Sequence, residues 1–481
     1  MKKVLRKTKI VGTIGPASES EEMLEKLMNA GLNVTRINFS HGGYEENGQK
    51  IENIKNVRKK LNRPVALLLD TKGPEIRTGM LITGKNEKMT IEEGQEFTFV
   101  NDEITGDNTK VSISYKELYK DVSVGGKLLV DDGALEFEIT EIKDKDIVCK
   151  ALNTGRLGSR KTVNVPGVKV DLPALTQKDI DDITEGIKRG FDYIAASFVR
   201  KASDVQALRK LLNENGGERV KIISKIENQE GIDNFEEILA LSDGIMVARG
   251  DMGVEIPMEQ VPIVQKRFIK RCNQVGKPVI TATQMLESMT TNPRPTRAEV
   301  SDVANAVYDK TGAIMLSGEC AMGNYPVECV NVMSRISKAI EAETNYWRRF
   351  NRYASAYDLK DIEANIAYTT ISTAQHMDAA GIVAYTKSGD SIRKLAGFPC
   401  KCPIFAITDD EKTFNQLSVS VNVCPILVEG ASSIEETIQK GIEKIKADCL
   451  VEEGDLVVIS GGAKILENNS QNKIFCGMLK I

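Results

Sequence analysis

A short β-rich run followed by an amphipathic helical stripe recurs along this chain, and the number of repeats limits the fold more than any other feature. The first run is Thr8-Lys9-Ile10-Val11-Gly12-Thr13-Ile14. Ser18-Glu19-Ser20-Glu21 then reads as a capping box, and Leu24, Leu27 and Met28 form an apolar stripe closed by Gly31. Asn33–Asn38 and Val65–Asp70 are the second and third strands. From about residue 75 to 170 the period changes to simple alternation, as in Leu135-Glu136-Phe137-Glu138-Ile139, broken by Gly125-Gly126 and Asp132-Gly133. Strand–helix alternation resumes at a helix capped by Thr176. Five more strands follow: Tyr193–Val199, Lys221–Ile226, Gly244–Ala248, Pro278–Ala282 and Ala313–Ser317.

Three strands before the insert and five after it make eight, the number that closes a TIM (β/α)8 barrel. A doubly wound open sheet is the competing arrangement; the count and the apolar strand interiors favour the barrel. The expected architecture is α/β, with the catalytic barrel in residues 1–72 and 171–345 and a small β-barrel lid inserted at 73–170. A C-terminal doubly wound α/β domain follows at 346–481, built from a helix at 363–378 and strands near Gly381–Thr386, Ile404–Thr408, Pro425–Val428 and Asp455–Ser460. A chain of 481 residues needs several such cores.

A net charge of −4 argues against nucleic acid as a partner. No apolar run reaches the roughly 18 residues of a membrane span, and the basic start, Met1 to Lys7, leads into a strand and not a signal-peptide core; the expected location is cytoplasmic. Nine cysteines occur without CxxC spacing. The closest pair, Cys400 and Cys402, reads as loop thiols of a reducing compartment, with a metal or redox role as the alternative. The two histidines, His41 and His376, and the lack of a GxSxG elbow leave no basis for a Ser-His-Asp site. Chemistry here must run on carboxylates, lysine, arginine and hydroxyls.

Barrel enzymes place that chemistry at the C-terminal strand ends. Lys225 and Glu227, two apart on the fifth strand, point the same way. Alone they could be a structural ion pair. Asp251, at the end of the next strand, adds a second carboxylate, and the two oxygen donors suit Mg²⁺ or Mn²⁺. Lys225 could then neutralise charge on a transferring group or enolate. Gly250 permits close backbone approach, and Arg36 and Arg77 add forked donors suited to phosphate. Asn38, Ser40, Asp70 and Thr71 form an oxygen set suited to a monovalent cation, or else simply hydrogen-bonded strand ends. Neither a Walker A motif nor a kinase-type glycine loop is present.

Six ordered motifs resemble those of pyruvate kinases over essentially the whole length. They are Thr35-Arg36-Ile37-Asn38-Phe39-Ser40-His41-Gly42, Asp70-Thr71-Lys72-Gly73-Pro74-Glu75-Ile76-Arg77-Thr78-Gly79, Ile223-Ser224-Lys225-Ile226-Glu227-Asn228, Val247-Ala248-Arg249-Gly250-Asp251-Met252-Gly253, Ala282-Thr283-Gln284-Met285-Leu286 and Asn292-Pro293-Arg294-Pro295-Thr296-Arg297-Ala298-Glu299. The resemblance implies phosphoryl transfer from phosphoenolpyruvate to ADP, giving pyruvate and ATP in glycolysis. It implies Mg²⁺ on Glu227 and Asp251, and K⁺ on Asn38, Ser40, Asp70 and Thr71, with Glu75 matching the potassium-dependent form. Lys225, Thr283 and Arg36 take the catalytic positions: Lys225 stabilises the phosphoryl group and enolate, Thr283 helps protonate the enolate, and Arg36 binds phosphate. Arg36, Lys225, Gly250, Asp251 and Thr283 hold the substrate; Asn38, His41, Arg77 and Lys161 hold the nucleotide. The insert matches the family's lid, and a homotetramer is implied.

Thr386-Lys387-Ser388-Gly389-Asp390-Ser391 joins a strand to a helix and could cradle a phosphate. The resemblance places a sugar-phosphate or nucleotide effector on Thr386, Lys387, Ser388, Gly389 and Ser391. Asp390 and the tail Ser460–Asn469 depart from the pattern of fructose-1,6-bisphosphate-responsive members, so that the activator differs or is absent. No further phosphotransferase-like domain is expected. Two other readings stand beside this one. A phosphoenolpyruvate or pyruvate lyase on the same barrel would need neither the lid nor Arg77 and Lys161. A metabolite sensor would not need every catalytic position filled.

Overall fold

The computed structural model describes residues 4–40, 42–84, 87–353, 356–461 and 475–481. Eight parallel strands close a barrel, each beside its sequence neighbours: Lys9–Thr13, Val34–Asn38, Ala66–Asp70, Tyr193–Ala196, Lys221–Ile226, Gly244–Ala248, Val279–Ala282 and Ala313–Leu316. Closure is the pairing of the first strand with the eighth, Lys9 with Ala313 through Gly12 with Leu316. These are the eight strands the sequence predicts, shortened at their ends where the backbone leaves the ladder.

One helix start differs from expectation. Ser20, not Ser18, caps Glu21–Ala30 by accepting from the Met23 amide. Ser18 is drawn into the preceding turn, where its hydroxyl accepts from the Gly15 amide at 3.1 Å. Gly31 ends this helix at φ 118°, a conformation that favours glycine. Thr176 caps Gln177–Lys188 with a reciprocal bond from Asp179, as expected.

Between the third and fourth barrel strands the insert forms a six-stranded curled sheet and a two-stranded ribbon. Its apolar alternation packs Phe97, Phe99 and Phe137 into a separate core. Five strands form the C-terminal sheet in the order Val423–Leu427, Ile404–Thr408, Gly381–Tyr385, Leu456–Gly461, Phe475–Lys480; the last is antiparallel. No described helix is long and apolar enough to cross a membrane.

The C-terminal domain closes the barrel's lower mouth. Val419 completes the cluster of inward residues formed by Val11, Leu68, Ile223 and Met246. Around it, Tyr193 Oη donates to the Gln416 carbonyl at 2.7 Å, and the Ala66 amide donates to Ser418 Oγ at 3.1 Å. Lys310, from the barrel, donates to Asn273 Oδ1 at 3.0 Å and to the carbonyls of Ala396 and Gly397 at the end of helix Asp390–Gly397. A cation suits that end of a helix, but burial pulls the Lys310 ammonium down to about 7.

The folded value lies below that of the unfolded chain, so above about pH 7 the unfolded state holds the extra proton. This group's contribution to stability therefore rises with pH from about 7 to the ordinary lysine range. Lys310→Met removes that slope. Thermal unfolding of both proteins at pH 6.5 and pH 9 should show the wild type gaining on the variant at the higher pH; a constant difference would contradict this account.

Candidate functional site

Lys225 stands at the centre of the upper rim. Its Nζ lies 3.1 Å from Asp70 Oδ1, 2.8 Å from Ser197 Oγ and 3.0 Å from Glu227 Oε1. Asp70 is shared: its Oδ2 accepts from Arg36 Nε at 2.6 Å, and Arg36 Nη1 donates to Thr13 Oγ1. Third, fourth and fifth strands are neighbours in the barrel, which is why residues 70, 197 and 225 meet. The ion pair between Lys225 and Glu227 that the sequence left open is present, but as one edge of a four-charge chain, Arg36–Asp70–Lys225–Glu227.

The charges in that chain are unequally compensated. Burial works against the ionised form of Asp70, yet Arg36 and Lys225 together outweigh it and hold its carboxyl below the usual range. Burial also opposes the Lys225 ammonium, and Asp70 and Glu227 overcome it, so the lysine stays charged. Glu227 is the exception. Burial pushes its carboxyl up to about 8, with Lys225 opposing and Asp251 adding to the rise. Its Oε2 accepts from the Phe198 amide at 2.5 Å, but buried Oε1 has the ion pair and no aligned hydrogen bond. An under-compensated buried carboxylate oxygen, with Asp251 close enough to feel its charge, fits a hard divalent cation. Among the described residues no group of three or more His, Cys, Asp and Glu side chains is arranged to hold a metal ion.

Gly250 and Asp251 open the short helix Arg249–Glu255 above the sixth strand. The Gly250 amide donates to Thr283 Oγ1 at 2.8 Å, and a Cβ at position 250 would lie 3.4 Å from that oxygen. Thr283 sits at φ 70° and Gln284 at φ 53°. A β-branched residue in this region is strained, and such strain persists only when neighbours hold it. Two rim residues to which the sequence assigns no role hold this turn and the segment after it. Arg249 donates from Nε to the Ala282 carbonyl at 3.1 Å and from Nη2 to the Thr283 carbonyl at 2.6 Å, while Nη1 meets Asp302 at 2.7 Å. Buried Glu319 accepts from the Leu286 amide at 3.2 Å and from the Ser317 amide at 2.6 Å. Ser197 and the Phe198 amide were also unforeseen, since neither carries a charge. Phe198, at φ 55°, aims its N–H at Glu227.

The oxygen set on the second and third strands is brought together in register, Asn38 opposite Asp70. Asn38 Oδ1 accepts from the Ser40 amide at 3.0 Å, and Thr71 Oγ1 from the Ser197 amide at 3.0 Å. Both Asp70 oxygens already face cations, so this set carries less unmet charge than Glu227. His41 lies outside the described residues. Arg77 and Lys161 meet on the lid, across the bridge of Arg77 with Thr162. Arg77 pairs with Glu75 at 2.7 Å and Lys161 with Asp131 at 2.8 Å. The lid touches the rim through Asn164, which donates to Glu255 at 2.8 Å, and a cleft of about 100 Å³ between them is lined by Glu75, Thr162, Asn164, Asn228, Asp251 and Glu255.

In the C-terminal domain Gly389, at φ 84°, opens helix Asp390–Gly397, and its amide donates to Thr386 Oγ1 at 2.9 Å. Asp390 is not a loose negative charge: it accepts from Arg393 at 2.9 Å and from Ser388 Oγ at 2.8 Å. The Lys387 carbonyl accepts from Thr413, and Ser391 is part of the helix's first turn. The tail from residue 462 to 469 lies outside the described residues.

Comparison with known proteins shows the family and fold of this chain. The model of the pyruvate kinase barrel domain matches residues 5–330, and that of the pyruvate kinase alpha/beta domain matches residues 364–474. A pyruvate kinase of Clostridium acetobutylicum is 48% identical over 471 residues, covering 98% of this chain and 99% of that protein. The chain belongs to the pyruvate kinase family. A pyruvate kinase of Staphylococcus epidermidis is 49% identical over 470 residues, covering 97% of this chain and 80% of that protein. The crystal structure of a pyruvate kinase from Cryptosporidium parvum superposes with a TM-score of 0.93 at 39% identity, covering 99% of this chain and 96% of that one. As a pyruvate kinase family member the chain is a transferase, and the inserted sheet is the family's lid domain.

The four-charge chain gives Lys225 a structural duty beside any chemical one. Lys225→Met removes the cation that buried Asp70 and Glu227 share and leaves Asp70 with Arg36 alone, a loss of about 3–5 kcal/mol. Urea unfolding without divalent metal should show a drop of that size, and a loss under 1 kcal/mol would show that water compensates the site.

Proposed function

We propose that the rim transfers the phosphoryl group of phosphoenolpyruvate to ADP, with Lys225 at the reacting centre. The observation that carries this is the lysine's placement. It is largely buried, held charged, and borders both a compensated carboxylate, Asp70, and an under-compensated one, Glu227.

Glu227 and Asp251 would hold Mg²⁺, which when bound neutralises oxygens of the substrate and of the moving group. Lys225 sets its ammonium against the phosphoryl oxygens and the enolate oxygen as charge develops there. Arg36 spends two donors on Asp70 and Thr13, and the rest of its fork is left for phosphate. The Gly250 amide and Thr283 hydroxyl, already bonded to each other, turn to the substrate carboxylate. The hydroxyl then helps protonate an enolate bound there. The strained turn keeps it in place before substrate arrives, which reduces the reorganisation needed in the transition state.

Asn38, His41, Arg77 and Lys161 take the nucleotide, and Asn38, Ser40, Asp70 and Thr71 take K⁺. The lid lifts to admit ADP and settles again to exclude water, which would otherwise take the phosphoryl group. Phosphorylated effectors bind at Thr386, Lys387, Ser388, Gly389 and Ser391, beside Asp390, which is paired with Arg393. The assembly is a cytoplasmic homotetramer. A lyase reading gains nothing from Arg77 and Lys161 sitting together on a lid above the rim.

A coupled assay of pyruvate formation from phosphoenolpyruvate and ADP tests the proposal. In Lys225→Met that is folded by circular dichroism, turnover should fall by several kcal/mol of transition-state stabilisation, on the order of a thousandfold. Near-normal turnover would remove Lys225 from the reaction. Replacing K⁺ by a bulky organic cation should abolish most activity of the wild type, and an unchanged rate would delete the monovalent site.

A further inference from the structure

The turn between helix Asp390–Gly397 and strand Ile404–Thr408 carries Cys400 and Cys402, read from sequence as ordinary loop thiols. They are not on the surface. Cys400 is 2% exposed and Cys402 7%, and their Sγ atoms lie 3.5 Å apart. The turn is gripped on both sides. Asn422 Nδ2 donates to the Cys402 carbonyl at 2.8 Å and to the Cys400 carbonyl at 3.5 Å. Lys7 Nζ, from the strand-preceding segment of the barrel, donates to the Lys401 carbonyl and to Asn422 Oδ1. The Lys7 amide in turn donates to Glu341 Oε2 at 2.8 Å.

Among the described residues, burial raises the core thiols Cys149, Cys272, Cys320 and Cys329. Burial pushes Cys149 and Cys329 up to about 12, with no cation offsetting it. Cys400 goes the other way: the Cys402 sulfur at 3.5 Å shares a proton with it and, with the Lys7 side chain, favours its thiolate against burial. Cys402 lines a cavity of about 460 Å³ with Lys7, Glu341, Tyr346, Trp347 and Gln375, which gives a small solute a route to the pair. Residues two apart in a chain are never more than about 7 Å apart between Cα atoms, so the reach needed for a disulfide is met. Only the sulfurs must close, from 3.5 Å to about 2.05 Å.

We propose that Cys400 and Cys402 are a reversible dithiol–disulfide site, oxidised by small hydroperoxides, at the junction of the C-terminal domain with the barrel. The Cys400 thiolate attacks the outer peroxide oxygen. The O–O bond breaks, the alcohol or water leaves with a proton, and Cys400 becomes a sulfenic acid. The Cys402 sulfur then attacks the Cys400 sulfur. The S–S bond forms, the S–O bond breaks, and hydroxide departs as water with the Cys402 proton. Two thiols and one hydroperoxide thus give one disulfide, one alcohol and one water. A dithiol reductant reverses the change by thiol–disulfide exchange. In a reducing compartment such a disulfide is transient, as expected of a sensing site. Drawing the sulfurs together shifts the turn backbone, and with it the carbonyls held by Lys7 and Asn422.

The folded wild type is exposed briefly to a small excess of hydrogen peroxide, alkylated with N-ethylmaleimide and analysed by intact mass and peptide mapping. The proposal expects a loss of two hydrogen masses located on one peptide holding both cysteines, fully restored by dithiothreitol. Cys402→Ser should instead trap Cys400 as a sulfenic acid that dimedone labels, and Cys400→Ser should do neither. The mapping of wild type needs no variant, so a misfolded variant leaves the test intact. Alkylation of both thiols after peroxide, oxidation confined to exposed Cys449, or a change that dithiothreitol does not reverse would each overturn the proposal.

Discussion

The hydrogen-bonded seam between the first and eighth strands is the constraint on which the rest of this molecule depends. It joins segments some three hundred residues apart, Lys9 to Ala313 and Gly12 to Leu316. With the seam closed, each strand has two fixed neighbours, and no strand end can move without moving the next. Arg36, Asp70, Ser197 and Lys225, from four consecutive strands or the turns just beyond them, are then held within hydrogen-bond reach. An open sheet would place the same residues in a row and expose its edges.

Within that ring the balance of charge is local and deliberate in effect. Two cations and two anions alternate from Arg36 to Glu227, and three of the four are satisfied by their neighbours. The last, Glu227, is left with one oxygen lacking an aligned partner. Such an end costs the isolated protein stability and gives it affinity for a cation, the same trade seen in the strained turn at Thr283. Both features lie on the one face where the lid rests.

Much of this could be read from the sequence, for reasons that differ by feature. Strand count survives because apolar interiors flanked by helical stripes are a strong periodic signal, and the charged residues Lys225, Glu227 and Asp251 announce themselves by type. Ser18 was misread as a cap because a capping pattern does not say which of two serines the turn will claim. Arg249, Glu319, Ser197 and the Phe198 amide were missed because they act through backbone groups or through neighbours distant in sequence. The setting of Cys400 and Cys402 likewise depends on residues from elsewhere, Lys7 and Asn422, whereas Asp390's partner Arg393 lies only three residues along the same helix.

Val419 lies in the C-terminal domain yet completes the innermost layer of the barrel. The barrel's floor is thus borrowed, and a graft that exchanged the C-terminal domain for a relative's would fit only if it brought its own stopper together with partners for Tyr193 and Ala66. Modular shuffling of these two domains is therefore limited by the shape of a single side chain at the bottom of the catalytic one. A crossover placed in the connecting helices parts the strands from their stopper, so the residues facing each other across the floor must be exchanged together.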